Sequence, residues 1–320
     1  MAVSGGGDSI SLLLLLADWA RTGGYPPPIV LTVDHGLRPD SARDAADVAA
    51  RARGWNLQAH VLRWGARKPS SDIEGAAREA RYRLTGEWCC TNGVCCLYVA
   101  HTIEDQAETF LLRLARGSGV DGLAAMKVVS PFPSPGCESL RLARPLLGVA
   151  RNRLRAFLSA RQEFWLEDPM NCDPRFARAR LRTMWPMLEE AGLTAKRIAD
   201  AARHLGRARS ALDHDVVALM AKASRVKGGN VLLDAHVLAS VPEEIGLRAL
   251  ARALMQVSGR VYGPRFERLE RLLAAIAVGA LGKGRTLHGC MVRDATRREA
   301  CFGPHTLRIS LEPPRRRRPA

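Results

Sequence analysis

The run Val3-Ser4-Gly5-Gly6-Gly7-Asp8-Ser9 constrains the fold of this 320-residue chain more than any other feature. It follows the β-type residues Met1–Val3 and opens an apolar helical pattern over Asp8–Arg21. Three glycines permit positive φ and let successive backbone N–H groups converge on one centre, where a helix N-terminus adds its field. Strand, glycine turn and helix in that order predict an anion cradle. A Walker A loop is excluded, because no G-x-x-x-x-G-K-S/T occurs anywhere in the chain and no Lys lies in this loop. Only Met1-Ala2-Val3 precede the glycine loop, short of the roughly 5–6 residues of a usual strand, which predicts that the native strand begins upstream.

The next 100 residues repeat the alternation. Strand patterns at Ile29–Asp34, Asn56–Leu62, Cys96–Ala100 and Leu140–Arg144 are separated by helical patterns at Ser41–Arg53, Asp72–Glu87 and Ile103–Arg116. This rhythm predicts a Rossmann-like parallel sheet with crossover helices and a ligand site beyond the carboxyl ends of the strands. From Leu146 helical patterns dominate, at Val149–Arg161, Arg180–Ala191, Thr194–Ala223, Pro242–Gln256 and Pro264–Val278. After Gly282 short strands return at Arg285–Val292 and Leu307–Leu311, before the basic end Arg315–Arg318. Three regions are expected: 1–185, 186–282 and 283–320. The Pro- and Ser-rich stretch Pro131–Gly136 reads as a surface loop.

Charge narrows the partners. Lys and Arg number 48 against 32 Asp and Glu, a formal net charge of +16. Nucleic acid is the natural partner of such a surface, and no basic amphipathic helix favours a membrane. The longest apolar run, Ile10–Ala17, is far short of the roughly 20 residues of a membrane span, and Asp8 before it argues against a signal peptide. Eight cysteines without a secretory signal predict reduced thiols and a cytoplasmic protein. Cys89, Cys90, Cys95 and Cys96 contain no C-x-x-C pair and read as packing between a helix end and a strand.

The densest chemistry lies in Ala100-His101-Thr102-Ile103-Glu104-Asp105-Gln106-Ala107-Glu108-Thr109. Thr102 and Asp105 form a capping-box pattern, but capping leaves Glu108 unexplained. Asp105 and Glu108 share a helix face, flanked by Glu104. Two carboxylates facing a phosphate cleft require a cation between them, either a metal or a substrate ammonium. Arg113 and Arg116, with the bend Gly117–Gly119, supply positive charge one turn on. His35 and Arg38 close the second strand. Glu74, Arg78, Arg81 and Tyr82 fall near one helical stripe.

These motifs resemble a known family. S-G-G-x-D-S after a strand is similar to the pyrophosphate loop (PP-loop) of the ATP pyrophosphatases. The segment His101–Met126 resembles the pattern H-x-x-D-D-Q-x-E-T followed by L-R-x-x-R-G-S-G-x-x-G-L-x-x-M of the tRNA(Ile)-lysidine synthase family, with Glu104 replacing its first Asp. Arg144-Pro145-Leu146-Leu147 and Glu167–Asp173 resemble its R-P-L-L and E-D-x-S-N-x-D, with Met170 in place of Ser. The resemblance covers about residues 1–190 and implies a PP-loop catalytic domain followed by a mostly helical tRNA-binding region.

It also implies an activity. ATP would activate C2 of the wobble cytidine in tRNA(Ile) with anticodon CAU, and free L-lysine would attack to form lysidine with release of AMP and pyrophosphate. Ser4, Gly5, Gly6, Gly7, Asp8 and Ser9 would hold the nucleotide, with Asp8 an indirect Mg²⁺ contact. Asp8, Asp105, Glu108 and Arg113 would act in catalysis. His35, Arg38, Arg78, Arg81, His101, Arg116, Asn171, Arg178 and Arg182 would face tRNA or substrate. The i,i+2 spacing of Arg178, Arg180 and Arg182 predicts several contact directions. A tRNA-thiolating relative and an RNA-binding homologue without catalysis are the alternatives, and the oligomeric state stays open, a homodimer included.

Overall fold

The computed structural model describes residues 1–66, 68–69, 73–167, 173, 175–260 and 262–313. The chain divides into two compact units, Met1–Gly206 and Arg207–Ala320.

In the first unit, the helix α1 (Gly7–Gly23) leaves the glycine loop and buries Ile10, Leu12, Leu13 and Leu14. It ends at Gly24, whose left-handed φ of 67° lets its N–H close on the Ala20 carbonyl. There follow β1 (Val30–Asp34), α2 (Ser41–Gly54), β2 (Ala59–Arg63), α3 (Ile73–Thr91) and β3 (Cys96–Tyr98). Then come α4 (Ile103–Leu114), the single turn α5 (Val120–Leu123), β4 (Val129–Pro131), β5 (Arg141–Ala143) and α6 (Arg151–Ala160). The short helices α7 (Ala177–Thr183) and α8 (Trp185–Glu190) lead into the long α9 (Ala195–Ala223), which runs through the boundary between units.

β1 and β2 are parallel in the register Val30↔Ala59, and β3 is parallel to β5 in the register Cys96↔Arg141. The Met1–Val3 segment joins these pairs. The Val3 amide donates to the Leu31 carbonyl at 2.9 Å, and the Ala2 amide to the Tyr98 carbonyl at 3.0 Å. The strand order is therefore β2, β1, Met1–Val3, β3, β5, β4, with β4 antiparallel at the edge. The Met1–Val3 segment lies between β1 and β3, so the glycine loop leaves the middle of the sheet. Apolar residues of α1, α2 and α6 pack around it, with Val3, Val30, Val48 and Leu158 buried together. Among the described residues no helix is long and apolar enough to cross a membrane.

The second unit departs from the helical reading of residues 186–282. After α9 the chain forms a hairpin of β6 (Ser224–Lys227) and β7 (Asn230–Asp234), then α10 (Ala235–Ser240), α11 (Glu243–Ser258) and α12 (Phe266–Ala277). Gly228 and Gly229, at φ 55° and 75°, form the two-residue turn that matches strand twist. The stretch expected as one strand over Arg285–Val292 is a second hairpin, β8 (Arg285–Leu287) and β9 (Cys290–Asp294). Its turn is His288-Gly289, again with both φ positive, at 58° and 77°. With β10 (Cys301–Pro304) and β11 (Thr306–Leu311) the chain completes the unit, and the sheet order is β6-β7-β11-β9-β8. Strands on both sides of α10–α12 thus share one sheet, over a core that includes Leu250, Leu254, Leu273, Val292 and Ile309. The expected helix Arg180–Ala191 is broken at Met184, because Pro186 can start α8 but cannot continue α7.

Candidate active site

The glycine loop has the geometry of an anion cradle. Gly5 has φ 86°, and a Cβ there would lie 2.8 Å from both Val48 Cγ2 and Leu166 Cδ1. A Cβ on Gly7 would meet the Trp165 ring at 3.4 Å. The Leu166 amide donates to the Gly5 carbonyl at 3.0 Å, so the Trp165–Leu166 stretch backs the loop. The Ser9 hydroxyl donates to the Gly6 carbonyl at 2.8 Å, and the Ser4 amide donates to Ser9 Oγ at 3.3 Å. The amides of Gly6, Gly7 and Asp8 find no acceptor among the described residues. Unsatisfied N–H groups at the start of a 17-residue helix are donors for phosphate oxygens.

Beside the loop, three carboxylates converge on one guanidinium, that of Arg151 at the start of α6. Arg151 Nε donates to Asp8 Oδ2 at 3.0 Å and Nη2 to Asp105 Oδ1 at 2.7 Å, while Nη1 lies 3.6 Å from Glu108 Oε1. From α7, Arg182 grips Glu108 with both forks, Nε at 2.7 Å and Nη2 at 3.3 Å. Arg178 Nη1 lies 3.7 Å from Asp105 and 3.9 Å from Glu108. The Glu108 side chain is only 2% exposed. A carboxylate so desolvated is held by charge-assisted bonds on several sides.

Asp105 uses its two oxygens differently. Oδ2 accepts the Thr102 amide at 2.8 Å and completes the capping box, while Oδ1 takes Arg151. Burial pushes its carboxyl up, but Arg151, the Thr102 amide, His101 and Arg178 outweigh burial and hold it below the usual carboxylate range. Asp8 goes the other way: burial raises it, with Asp105 and Glu104 adding to the rise against the pull of Arg151. His101 is lowered to about 4, chiefly by burial, with Arg144, Arg78 and Arg178 acting in the same direction against Asp105. Its Nδ1 is buried and has no hydrogen-bond partner among the described residues.

Other residues of the expected site serve as braces. Arg113 Nη1 donates to the carbonyls of Gly122 at 2.8 Å and Ala125 at 3.3 Å, which fastens the 117–125 turn to α4. Gln106 does the same through Met126, donating to its carbonyl at 3.0 Å and accepting its amide at 2.8 Å. Arg116, Arg78 and Arg81 are exposed, with Arg78 donating to the Tyr82 hydroxyl at 3.1 Å. Arg38 pairs with Asp44 at 2.9 Å, and His35 meets the edge of Trp64. The expectation that Arg178 and Arg182 face tRNA meets a different placement, since α7 makes them an i,i+4 pair aimed at the carboxylates. Arg180 donates instead to the Arg175 carbonyl. Asn171 and Arg315–Arg318 lie outside the described residues.

Two residues to which the sequence reading gave no role in the site complete it, Arg151 and Glu104. Arg151 follows the R-P-L-L motif by four residues, and three clustered acids already called for a cation. Glu104 supplies the other half, because its carboxylate accepts the Arg151 amide at 3.0 and 3.2 Å and so caps α6.

The profile of the PP-loop domain matches residues 1–188. The chain is 40% identical over 300 residues to the tRNA(Ile)-lysidine synthase of Ruegeria pomeroyi, covering 93% of this chain and 69% of that protein. The chain belongs to the tRNA(Ile)-lysidine synthase family. The family member of a Bradyrhizobium species is also 40% identical, over 99% of this chain and 91% of its own length. Among solved structures, a U34-tRNA thiolase from Methanococcus maripaludis with an iron–sulfur cluster superposes with a TM-score of 0.52 at 16% identity. That match covers 65% of this chain and 71% of the thiolase, and shows a shared fold.

The Cys89–Cys96 group lies at the end of α3 and the start of β3. Cys89 is buried at the end of α3, Cys90 and Cys95 are exposed, and Cys90 Sγ lies 3.0 Å from Cys137 Sγ on the 132–140 loop. Among the described residues no group of three His, Cys, Asp or Glu side chains is arranged to hold a metal.

Proposed function

We propose that this chain uses ATP to ligate free L-lysine to C2 of the wobble cytidine of tRNA(Ile) with anticodon CAU, through an adenylated cytidine, releasing AMP and pyrophosphate. The observation that carries the reading is the convergence of Asp8, from the glycine loop, with Asp105 and Glu108, from α4, around one guanidinium. A phosphate cradle and a cation-binding acidic pair are thereby adjacent, as a reaction that joins a nucleotide-activated base to an amine requires.

In this reading the amides of Gly6, Gly7 and Asp8 bind phosphate oxygens and stabilise charge on the departing pyrophosphate. Asp8 offers Mg²⁺ a single carboxylate beside the phosphate cradle and would hold the ion together with phosphate oxygens; when bound, the ion would neutralise phosphate charge. Asp105 and Glu108 hold the amine of lysine, and one of them accepts its proton as the C–N bond forms. Arg113 acts by positioning the 117–125 turn. The excess of basic residues attracts the tRNA backbone.

The test is incubation with ATP, Mg²⁺, labelled lysine and an unmodified tRNA(Ile) transcript with anticodon CAU, beside one whose wobble base is U. Label on the CAU transcript alone, with AMP formed, is the expected result. Pyrophosphate exchange without label would instead favour a thiolating activity, and neither signal would overturn the assignment for this chain.

A further inference from the structure

Resting on the reading above, the site poses a problem of charge. Asp105 and Glu108 are assigned to the ammonium of lysine, yet their charge is already answered by the protein. Three carboxylates, Asp8, Asp105 and Glu108, face three guanidiniums, Arg151, Arg178 and Arg182. A further cation entering a balanced, half-desolvated cluster gains little, because each carboxylate has already exchanged water for arginine.

The three arginines differ in reach. Arg178 and Arg182 approach from α7 and contact Asp105 and Glu108. Among the described residues Arg151 is the one that also holds Asp8, on the first turn of α1 beside the phosphate-binding amides. Its guanidinium stays charged, since Asp105, Glu108 and Asp8 favour the cation over the cost of burial. A polyphosphate arriving at the glycine loop places several negative charges beside that guanidinium, where Coulomb attraction is stronger than in water.

We infer that Arg151 couples the two substrates: phosphates at the Ser4–Ser9 loop draw its guanidinium away, and so free Asp105 Oδ1, whose next cation, Arg178, lies 3.7 Å off, for the ammonium of lysine, while Arg182 keeps its grip on Glu108. Lysine therefore binds tightly only to the nucleotide-loaded protein, and the amine is held next to an activated base rather than in an empty site. Arg151 is a positioning residue in this scheme. Glu104 anchors it, because its carboxylate fixes the Arg151 amide while the side chain changes partners.

Linkage makes the idea testable without turnover. Equilibrium dialysis of labelled lysine against the full chain, with and without saturating α,β-methylene-ATP in Mg²⁺ buffer, should show lysine binding at least about 5-fold tighter with the analogue. By reciprocity, lysine must tighten the analogue by the same factor. In Arg151→Gln that ratio should fall close to one, with lysine binding improved in the absence of nucleotide. Arg151→Lys keeps the charge but cannot bridge three carboxylates, so its ratio should be intermediate. Equal lysine affinity with and without analogue in the wild type overturns the inference. So does a folded Arg151→Gln with the wild-type ratio, or, if that variant does not fold, an unchanged ratio in Arg151→Lys. Lysidine formation by the wild type is measured in parallel. Lysidine formed with nucleotide-independent lysine affinity sinks the Arg151 coupling alone, whereas no lysidine overturns the functional reading beneath it.

Discussion

At Asp105 one carboxylate serves two structures, a helix cap and an ion pair, and at Glu108 a nearly sealed carboxylate is clasped by α7. Glu108→Gln keeps the volume and removes the charge that would receive an amine. Lysidine formation should fall by at least about 100-fold, while nucleotide affinity stays within about threefold. Unchanged turnover in that variant would remove Glu108 from the chemistry. The glycine loop is subject to a different constraint. Gly5→Ala places a Cβ at positive φ against Val48 and Leu166, so it should lower stability by about 1–3 kcal/mol in urea unfolding and weaken nucleotide binding. His101 gives a pH test. Its native pKa, near 4, lies below the ordinary 6.5, so the unfolded chain takes up a proton first as pH falls. Stability from this group is complete above pH 6.5 and is lost progressively toward pH 4, by about 3 kcal/mol in all. His101→Gln should flatten that part of the pH dependence of the urea midpoint, and an identical slope in both proteins would refute it. That Asp105 and Glu108 share a helix face was legible from their spacing alone, whereas Asp8 entered through the resemblance of its loop. Arg151 was not legible, because it lies more than 40 positions from Asp105 and no local pattern marks its direction. The signal available was electrostatic: three acids in one cleft imply a cation, and the sequence reading assigned that cation to a ligand.

Elements explain what local patterns could and could not reveal. The alternation of β1 to β3 with α1 to α4 was legible because apolar period and glycine punctuation agree there. The two hairpins of the second unit were not, although Lys227-Gly228-Gly229-Asn230 carries a two-glycine turn signal. Its flanking strands are only four and five residues long and sit between much longer helical patterns. The turn at His288-Gly289 was hidden for another reason, since His-Gly is not among the strong Asn-Gly, Asp-Gly or Gly-Gly turn signals and the run around it reads as continuous strand. Within the first unit, Glu104 shows an element boundary made by tertiary contact: the cap of α6 comes from α4. Glu104→Ala should therefore cost about 1 kcal/mol through loss of the cap. Glu104→Gln retains an acceptor oxygen and should stay within about 0.5 kcal/mol of wild type. Because α6 begins with Arg151, lysidine formation should drop in the Ala variant and recover in the Gln variant. Equal activity in the two would mean that Glu104 does not position Arg151.

For the whole molecule, charge operates at two ranges that salt can separate. The net +16 is carried largely on exposed arginines and reaches a polyanion through water, where screening sets in beyond roughly 8–10 Å at physiological salt. The Asp105–Glu108 cluster instead acts at hydrogen-bond distance in a site where Glu108 is almost dry. A reaction that draws one substrate by the first kind of force and another by the second must respond unequally to ionic strength. Raising salt from 50 to 200 mM should raise KM for tRNA by at least about tenfold, since each phosphate contact adds close to one unit of slope in log K against log salt. KM for lysine, measured at saturating tRNA and ATP, should change by less than about threefold over the same range. Parallel rises in both constants would mean that lysine, too, is held by exposed charge. A flat response of the tRNA term would mean that the basic surface does not carry tRNA affinity.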